Sequence, residues 1–172
     1  MKRGFFNYRL LGNCFAVCLV NGLQFLGDKK LDCEIPELQI FNIETLNGTD
    51  ETLEFAPALN YLINNKYEVK VIDPDPFKNN LWGKNIDKVN LESPYRNYTL
   101  GDIESLNKKG WVVIFSTIDL KKHMSHANLV FNFKIYDPMH QTIWEKPIPW
   151  DDLEAIISRV KEKFCIAFKK LV

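Results

Sequence analysis

A single residue, Asn132, separates two apolar runs, HANLVF (126–131) and FKIYDP (133–138). Parallel neighbours in a sheet need a crossover of about a dozen residues or more, so these two runs must return on each other as an antiparallel pair. The segments around them extend a sheet. WVVIFST (111–117) precedes the pair, and IWEKPI (143–148) and CIAFKKL (165–171) follow it as an edge strand and a closing strand. Upstream, YEVKVI (67–72) alternates as a strand does, and the Asp-Pro-Asp-Pro that follows must leave the sheet. Helical spacing appears over 13–26, where Ala16, Val17, Leu19, Val20, Leu23 and Leu26 build a broad apolar face and Gly27 is the stop. A second helix is predicted over 50–65, capped by Thr49, with Pro57 marking where its regular part begins. A third runs over 102–109 to Gly110, and a fourth over 150–163 is opened by Asp151 and Asp152. Helices first, then an antiparallel sheet with one late helix, is an α+β order, with the first helix packed on the sheet. Residues 75–98, rich in Asn, Pro, Asp and Tyr without period, read as a surface excursion forming one wall of a cleft.

Composition narrows the function classes. A chain of 172 residues suits one domain, 1–172, and 46% hydrophobic with 26% charged residues excludes wholesale disorder. Lys plus Arg and Asp plus Glu both number 22, so no excess positive charge is present to hold nucleic acid or an anionic lipid surface. No apolar run reaches the about 20 residues that cross a bilayer, so no membrane insertion is expected. Arg9, Asn13 and Asn21 interrupt the apolar stretch near the N-terminus and no clean cleavage site follows, which predicts a cytoplasmic protein. Four cysteines (Cys14, Cys18, Cys33, Cys165) are too few for a disulfide scaffold, and their spacing forms no zinc ribbon. The sequence has no HExxH, no GxSxG and no Gly-rich phosphate loop.

One constellation carries chemistry. Cys14 stands at the start of the first predicted helix, where unpaired N–H groups and the helix dipole favour a thiolate. The N–H of Cys14 itself points to where an oxyanion would form. His126 opens one strand of the hairpin and Asp137 closes the other, so the two ends can lie side by side. A carboxylate there holds the imidazole tautomer while the other ring nitrogen meets the thiol. Singly, each residue has a structural use: a buried Cys is a small hydrophobe, and Asp-Pro opens turns. Together, a cysteine on an early helix followed by histidine and an acid on sheet strands is the chain order of papain-like enzymes.

The segment NCFAVCLVNGLQFLG (13–27) resembles the nucleophile helix of the bacteriocin-processing, or double-glycine leader, peptidases. Cys14 falls on the nucleophile, Cys18 on the second cysteine, Leu19 on the leucine, Phe25-Leu26 on the aromatic end and Gly27 on the glycine, without a gap. NGTDETLEFAPALNYLINNKYEVKVI (47–72) is similar to the Gly-Thr, helix and strand that come next in the family. GDIESLNKKGWVVIFST (101–117) is similar to its helix, Gly and hydrophobic strand, and HANLVF with IYDP to its histidine strand and Asp-Pro. The resemblance implies a papain-like fold in a stand-alone domain and a cysteine peptidase that cuts after Gly-Gly in leader peptides. It implies Cys14 as nucleophile, His126 as general base and Asp137 as the residue orienting it. The family's oxyanion-hole Gln lies six residues before the nucleophile. Tyr8 stands there in this chain with Asn7 beside it, which makes these two the candidate donors. Phe15 stands where the family has Gly and is expected to crowd the approach to the thiol.

The expected partner is a peptide or protein substrate, with no cofactor and no metal. A zinc site of Cys14, Cys18, His123 and His126 is the sharpest rival. It is disfavoured because residues three apart on a strand point to opposite faces. Two other readings share the fold: a catalytically impaired module that binds a peptide or partner, and an acyltransferase or amidase using the same triad. Cys18 reads as core, and Cys33 and Cys165 as bystanders.

Overall fold

The hairpin at Asn132 closes by a two-residue turn in which Asn132 (φ 49°) and Phe133 (φ 56°) are both left-handed. That pairing matches the twist of the flanking strands, β4 (Met124–Phe131) and β5 (Lys134–Tyr136). Asn tolerates this backbone, whereas for Phe it costs about 1–2 kcal/mol. Two contacts hold Phe133 in place. Its N–H donates to Asn107 Oδ1 at 2.6 Å, and its ring stands edge-on to Trp150 with centroids 5.0 Å apart.

The computed structural model describes residues 14–28, 55–74, 88–94, 96–119, 124–137, 149–158 and 163–171. Alongside β4 and β5 these contain β1 (Tyr67–Asp73), β2 (Asn90–Pro94), β3 (Val112–Asp119) and β6 (Cys165–Lys170). The helices are α1 (Cys14–Phe25), α2 (Phe55–Asn64), α3 (Leu100–Lys108) and α4 (Leu153–Ser158). The strands form one six-stranded sheet in the order β2-β1-β6-β3-β4-β5. It is an α+β arrangement, with α1 lying on the sheet.

Three expectations are corrected. The sheet is not wholly antiparallel, because β2 pairs parallel with β1 (Lys70↔Asn90, Val71↔Leu91). Residues 75–98 are therefore not all loop: part of this segment is an edge strand, too short and too polar for its period to show. The closing strand β6 lies in the interior, between β1 and β3. Its run CIAF is apolar at consecutive positions because both faces are covered. Ile166 and Phe168 join one core, Cys165 and Ala167 the other. The fourth helix is shorter than 150–163: Trp150–Asp152 forms a 3-10 turn, α4 follows, and 159–162 lie outside the described residues. IWEKPI and the Thr49 cap also lie outside them.

One core packs Leu19, Leu23, Leu59 and Leu62 of α1 and α2 against Ile114, Leu129, Ile166 and Phe168. The opposite core packs Ile103 and Leu106 of α3 and Leu153 and Ile157 of α4 against Val113, Phe115, Val130 and Ala167. Local signals set the helix ends. After α1, the Asp28 N–H bonds to Leu23 O at 3.0 Å and the Gly27 N–H to Gln24 O at 2.9 Å. Gly27 takes φ +75°, which completes a Schellman cap. The start of α3 is a capping box: Thr99 Oγ1 accepts from the Asp102 N–H at 3.2 Å, and Asp102 Oδ2 accepts from the Thr99 N–H at 2.7 Å. Arg96 clamps the same carboxylate from two sides at 2.6 and 2.8 Å. That guanidinium holds the Asp102 carboxyl below its ordinary range against the opposing effect of partial burial. A depressed acid stabilises the fold above its unfolded-state pKa, and that stability is lost as pH falls through the folded value. Thr99→Ala is expected to cost about 1 kcal/mol in urea unfolding at neutral pH. The absence of a measurable cost would show that the box contributes nothing.

Candidate functional site

The imidazole of His126 and the carboxylate of Asp137 meet, with Nε2 and Oδ1 2.8 Å apart. Register explains why. Leu129 faces Tyr136 across the β4–β5 ladder, so one further step sets Asp137 opposite Asn128. His126, two residues before Asn128, is then the diagonal neighbour of Asp137 on one face, within reach of a long side chain. β4 begins at Met124, so His126 lies two residues inside the strand. The side chains keep 21% and 18% of their exposure, so the pair is shielded but reachable. Opposite an ionised carboxylate, which only accepts, Nε2 is the ring nitrogen that carries a proton.

The start of α1 is brought to the same end of the sheet. Cys18 donates its S–H to Ala127 O at 3.6 Å. One turn on, a Cβ built at Gly22 would lie 3.4 Å from Leu129, and at the end of the helix Phe25 stacks on Phe131 with centroids 5.3 Å apart. Helix and strand therefore run the same way. Cys14 opens α1. Four residues back from Cys18 is about 6 Å along the helix axis, or about two strand residues. The first turn of α1 thus stands level with the Ser125–His126 step. The Cys14 side chain lies outside the described residues, as do Asn7, Tyr8, His123 and Cys33.

Alternation on β4 adds a constraint. Ala127 and Leu129 belong to the core that α1 covers, and Val130 to the opposite core. His126 and Asn128 share the parity of Val130, so the histidine–carboxylate pair belongs to the face away from α1. β5 ends at Tyr136, so at the level of His126 the outer edge of β4 has no β5 partner.

Phe15 is not where the sequence suggested. It is 3% exposed and packed in the core with Cys18 and Leu19, so its ring is turned away from any ligand approaching from solvent. Helix geometry is the reason: position 15 belongs with 18, 19 and 23 on the buried stripe. Cys18, fully buried, is core as expected, and Cys165, read from sequence as a bystander, is buried in the opposite core. Among the described residues no group of three or more potential ligands could hold a metal ion, and no helix is long and apolar enough to cross a membrane. The residue that sequence reasoning passed over is Asn128, 3% exposed beside the pair. Its signal was one polar letter inside HANLVF.

Two further groups near this end are spoken for by the fold. Tyr98 is buried, and desolvation pushes its phenol far above the ordinary value, so the hydroxyl stays a donor, aimed at Ser116 O at 3.4 Å. Tyr136, raised by the same cause, packs its ring on Phe25 with centroids 5.0 Å apart. No family model, curated protein or solved structure matches this chain.

Proposed function

We propose that the chain is a papain-like cysteine hydrolase that cleaves an amide bond, with a peptide as substrate. The observation that carries this reading is the 2.8 Å contact of His126 with Asp137 at the level where α1 starts. Asp137 accepts from Nε2–H and leaves Nδ1 as the base. Nδ1 takes the Cys14 proton and the thiolate adds to the amide carbonyl, with its oxyanion facing the N–H groups that open α1. The imidazolium returns the proton to the departing amine and a thioester forms. Water then gives a proton to Nδ1 and attacks the thioester, releasing a carboxylic acid and restoring the thiol. Tyr8 and Asn7 are the side chains proposed to complete the oxyanion site. The resemblance to the leader peptidases makes a Gly-Gly leader peptide the first substrate to try.

Two measurements test the reading. Iodoacetamide alkylation of Cys14, followed by peptide mapping, is expected to continue well below the pKa of about 8.5 of an ordinary thiol. His126→Ala is expected to move the profile to that ordinary value. If Cys14 behaves like Cys33 and His126→Ala changes nothing, the hydrolase fails. In the second test, His126→Cys is oxidised and a disulfide between Cys14 and the introduced thiol is sought, since cysteines whose Cα atoms are more than about 7 Å apart are not bridged without backbone movement. Absence of the linkage would refute the meeting at the β4 edge.

A further inference from the structure

We propose that Asn107, near the end of α3, is a positioning residue for the His126–Asp137 pair: it holds the hairpin turn whose register keeps the acid on the face of the imidazole. The consequence for Cys14 rests on the hydrolase reading, whereas the effect on the pair does not. Across the β4–β5 ladder Phe131 faces Lys134, Val130 faces Ile135 and Leu129 faces Tyr136. Asp137 comes next, opposite Asn128 and on the face of His126. A slip of one residue either way would set Asp137 opposite Ala127 or Leu129, on the face that α1 covers. The 2.8 Å contact with His126 would then be lost. Only Asn132 and Phe133 lie between the two strands, so the type of this turn decides the register.

Local preference opposes that turn. A two-residue connection of this kind needs both residues left-handed, and glycine is the usual second one. Here the second is Phe133, at φ 56°, where its Cβ crowds the backbone. A three-residue loop needs one left-handed residue instead of two, so local preference favours the slipped hairpin. What opposes the slip is tertiary. Asn107 Oδ1 accepts from the Phe133 N–H at 2.6 Å, while Nδ2 donates to Trp111 O at 3.2 Å. Asn107 is 4% exposed, and its own C=O accepts from the Gly110 N–H at 3.0 Å. The acceptor therefore stands on a fixed mount between α3 and β3. An acceptor toward the turn and a donor toward Trp111, on one short planar group, are what a carboxamide supplies. Through this side chain the α3 layer holds a histidine–acid pair that Asn107 does not itself touch.

The test is made on the intact chain by NMR. The Nε2–H proton of His126, identified by its loss in His126→Gln, reports the pair, and its exchange with water reports how often the hairpin opens. Asn107→Leu is expected to speed that exchange about tenfold or more, the loss of one well-placed hydrogen bond, while the Ile166 and Phe168 amides of β6 exchange as in the wild type. Phe133→Gly removes the strain that Asn107 opposes. In the double variant the exchange is therefore expected to return to within about threefold of the wild type. Iodoacetamide alkylation of Cys14 is expected to follow, its pH profile moved toward an ordinary thiol by Asn107→Leu and back by the second substitution. Unchanged exchange of the ring proton in Asn107→Leu, an equal acceleration of the β6 amides, or no rescue by Phe133→Gly would overturn the proposal. If Asn107→Leu alone does not fold, the double variant decides. A folded double variant with a protected ring proton supports the proposal, and one that does not fold assigns Asn107 to Trp111 and overturns it. Failure of the hydrolase reading has its own mark: the ring proton responds as expected while wild-type Cys14 shows ordinary thiol reactivity.

Discussion

Replacing His126 with alanine is expected to slow acylation of Cys14 by an activated peptide ester by about 10²–10⁴-fold, the usual contribution of a positioned general base. The reason is the geometry at one end of the sheet. Asp137 stands 2.8 Å from Nε2, and in the proposed mechanism Nδ1 takes the thiol proton. The two acid variants grade the same effect. Asp137→Leu removes the acceptor, lets the imidazole turn and change tautomer, and is expected to cost nearly as much as losing the ring. Asp137→Asn retains an oxygen that accepts from Nε2–H, and is expected to cost about tenfold or less, roughly the net value of a charge-assisted over a neutral hydrogen bond. Single-turnover burst kinetics measure all three. Equal rates for the wild type and His126→Ala, or Asp137→Leu faster than Asp137→Asn, would remove the pair from the mechanism.

Gly22→Ala is expected to destabilise the protein by about 1–3 kcal/mol, the range for overpacking a filled core. On an exposed helix the same change would stabilise by about 1 kcal/mol, because alanine is the better helix former. The sign is reversed here because a Cβ at Gly22 would stand 2.8 Å from Phe168 Cζ and 2.8 Å from Val112 Cγ1. Those atoms belong to β6 and β3, which are central strands with neighbours on both sides and little room to shift. For a chain of this length the loss corresponds to a fall in melting temperature of about 2–4 °C per kcal/mol. Phe168→Leu removes the ring atom nearest the new methyl group. In the double variant the cost of Gly22→Ala is therefore expected to shrink, a coupling that a double-mutant cycle reads directly. Additive costs, or a stabilising Gly22→Ala, would mean that α1 rides higher on the sheet than these two contacts allow.

That close approach also matters for the site, because it fixes how far α1 extends along β4 and so where its first residue stands. A helix lifted off the sheet would carry Cys14 away from the His126 edge. On the proposed hydrolase reading, Gly22→Ala is thus expected to lower the reactivity of Cys14 along with stability.

Much of this was legible from residues close in sequence. The hairpin followed from the one-residue interval at Asn132, since no crossover fits there. The end of α1 followed from Gly27, and its φ of +75° is the conformation for which glycine is preferred. The start of α3 was legible too, two residues before the predicted 102, in Thr99 and Asp102 at capping-box spacing. His126 and Asp137 stood out as strand ends that a short hairpin brings together, which is a local consequence of register. What escaped notice depended on partners far along the chain. β2 became a strand only because β1 offered it an edge, and nothing in NLESP announces a parallel pair.

Sequence by itself determined the elements, the hairpin, the placement of a cysteine at a helix start, and a histidine and acid within one ladder. Each depends on spacings of a few residues, where backbone geometry leaves little choice. Only the tertiary structure decided which face each side chain serves and how the distant elements meet. It turned Phe15 into the core, placed β6 in the middle of the sheet, and set the His126–Asp137 pair on the face away from α1. It also left Asn128 buried beside that pair. These outcomes come from packing two helical layers on one sheet, where burying apolar area across more than a hundred residues of sequence outweighs any local preference.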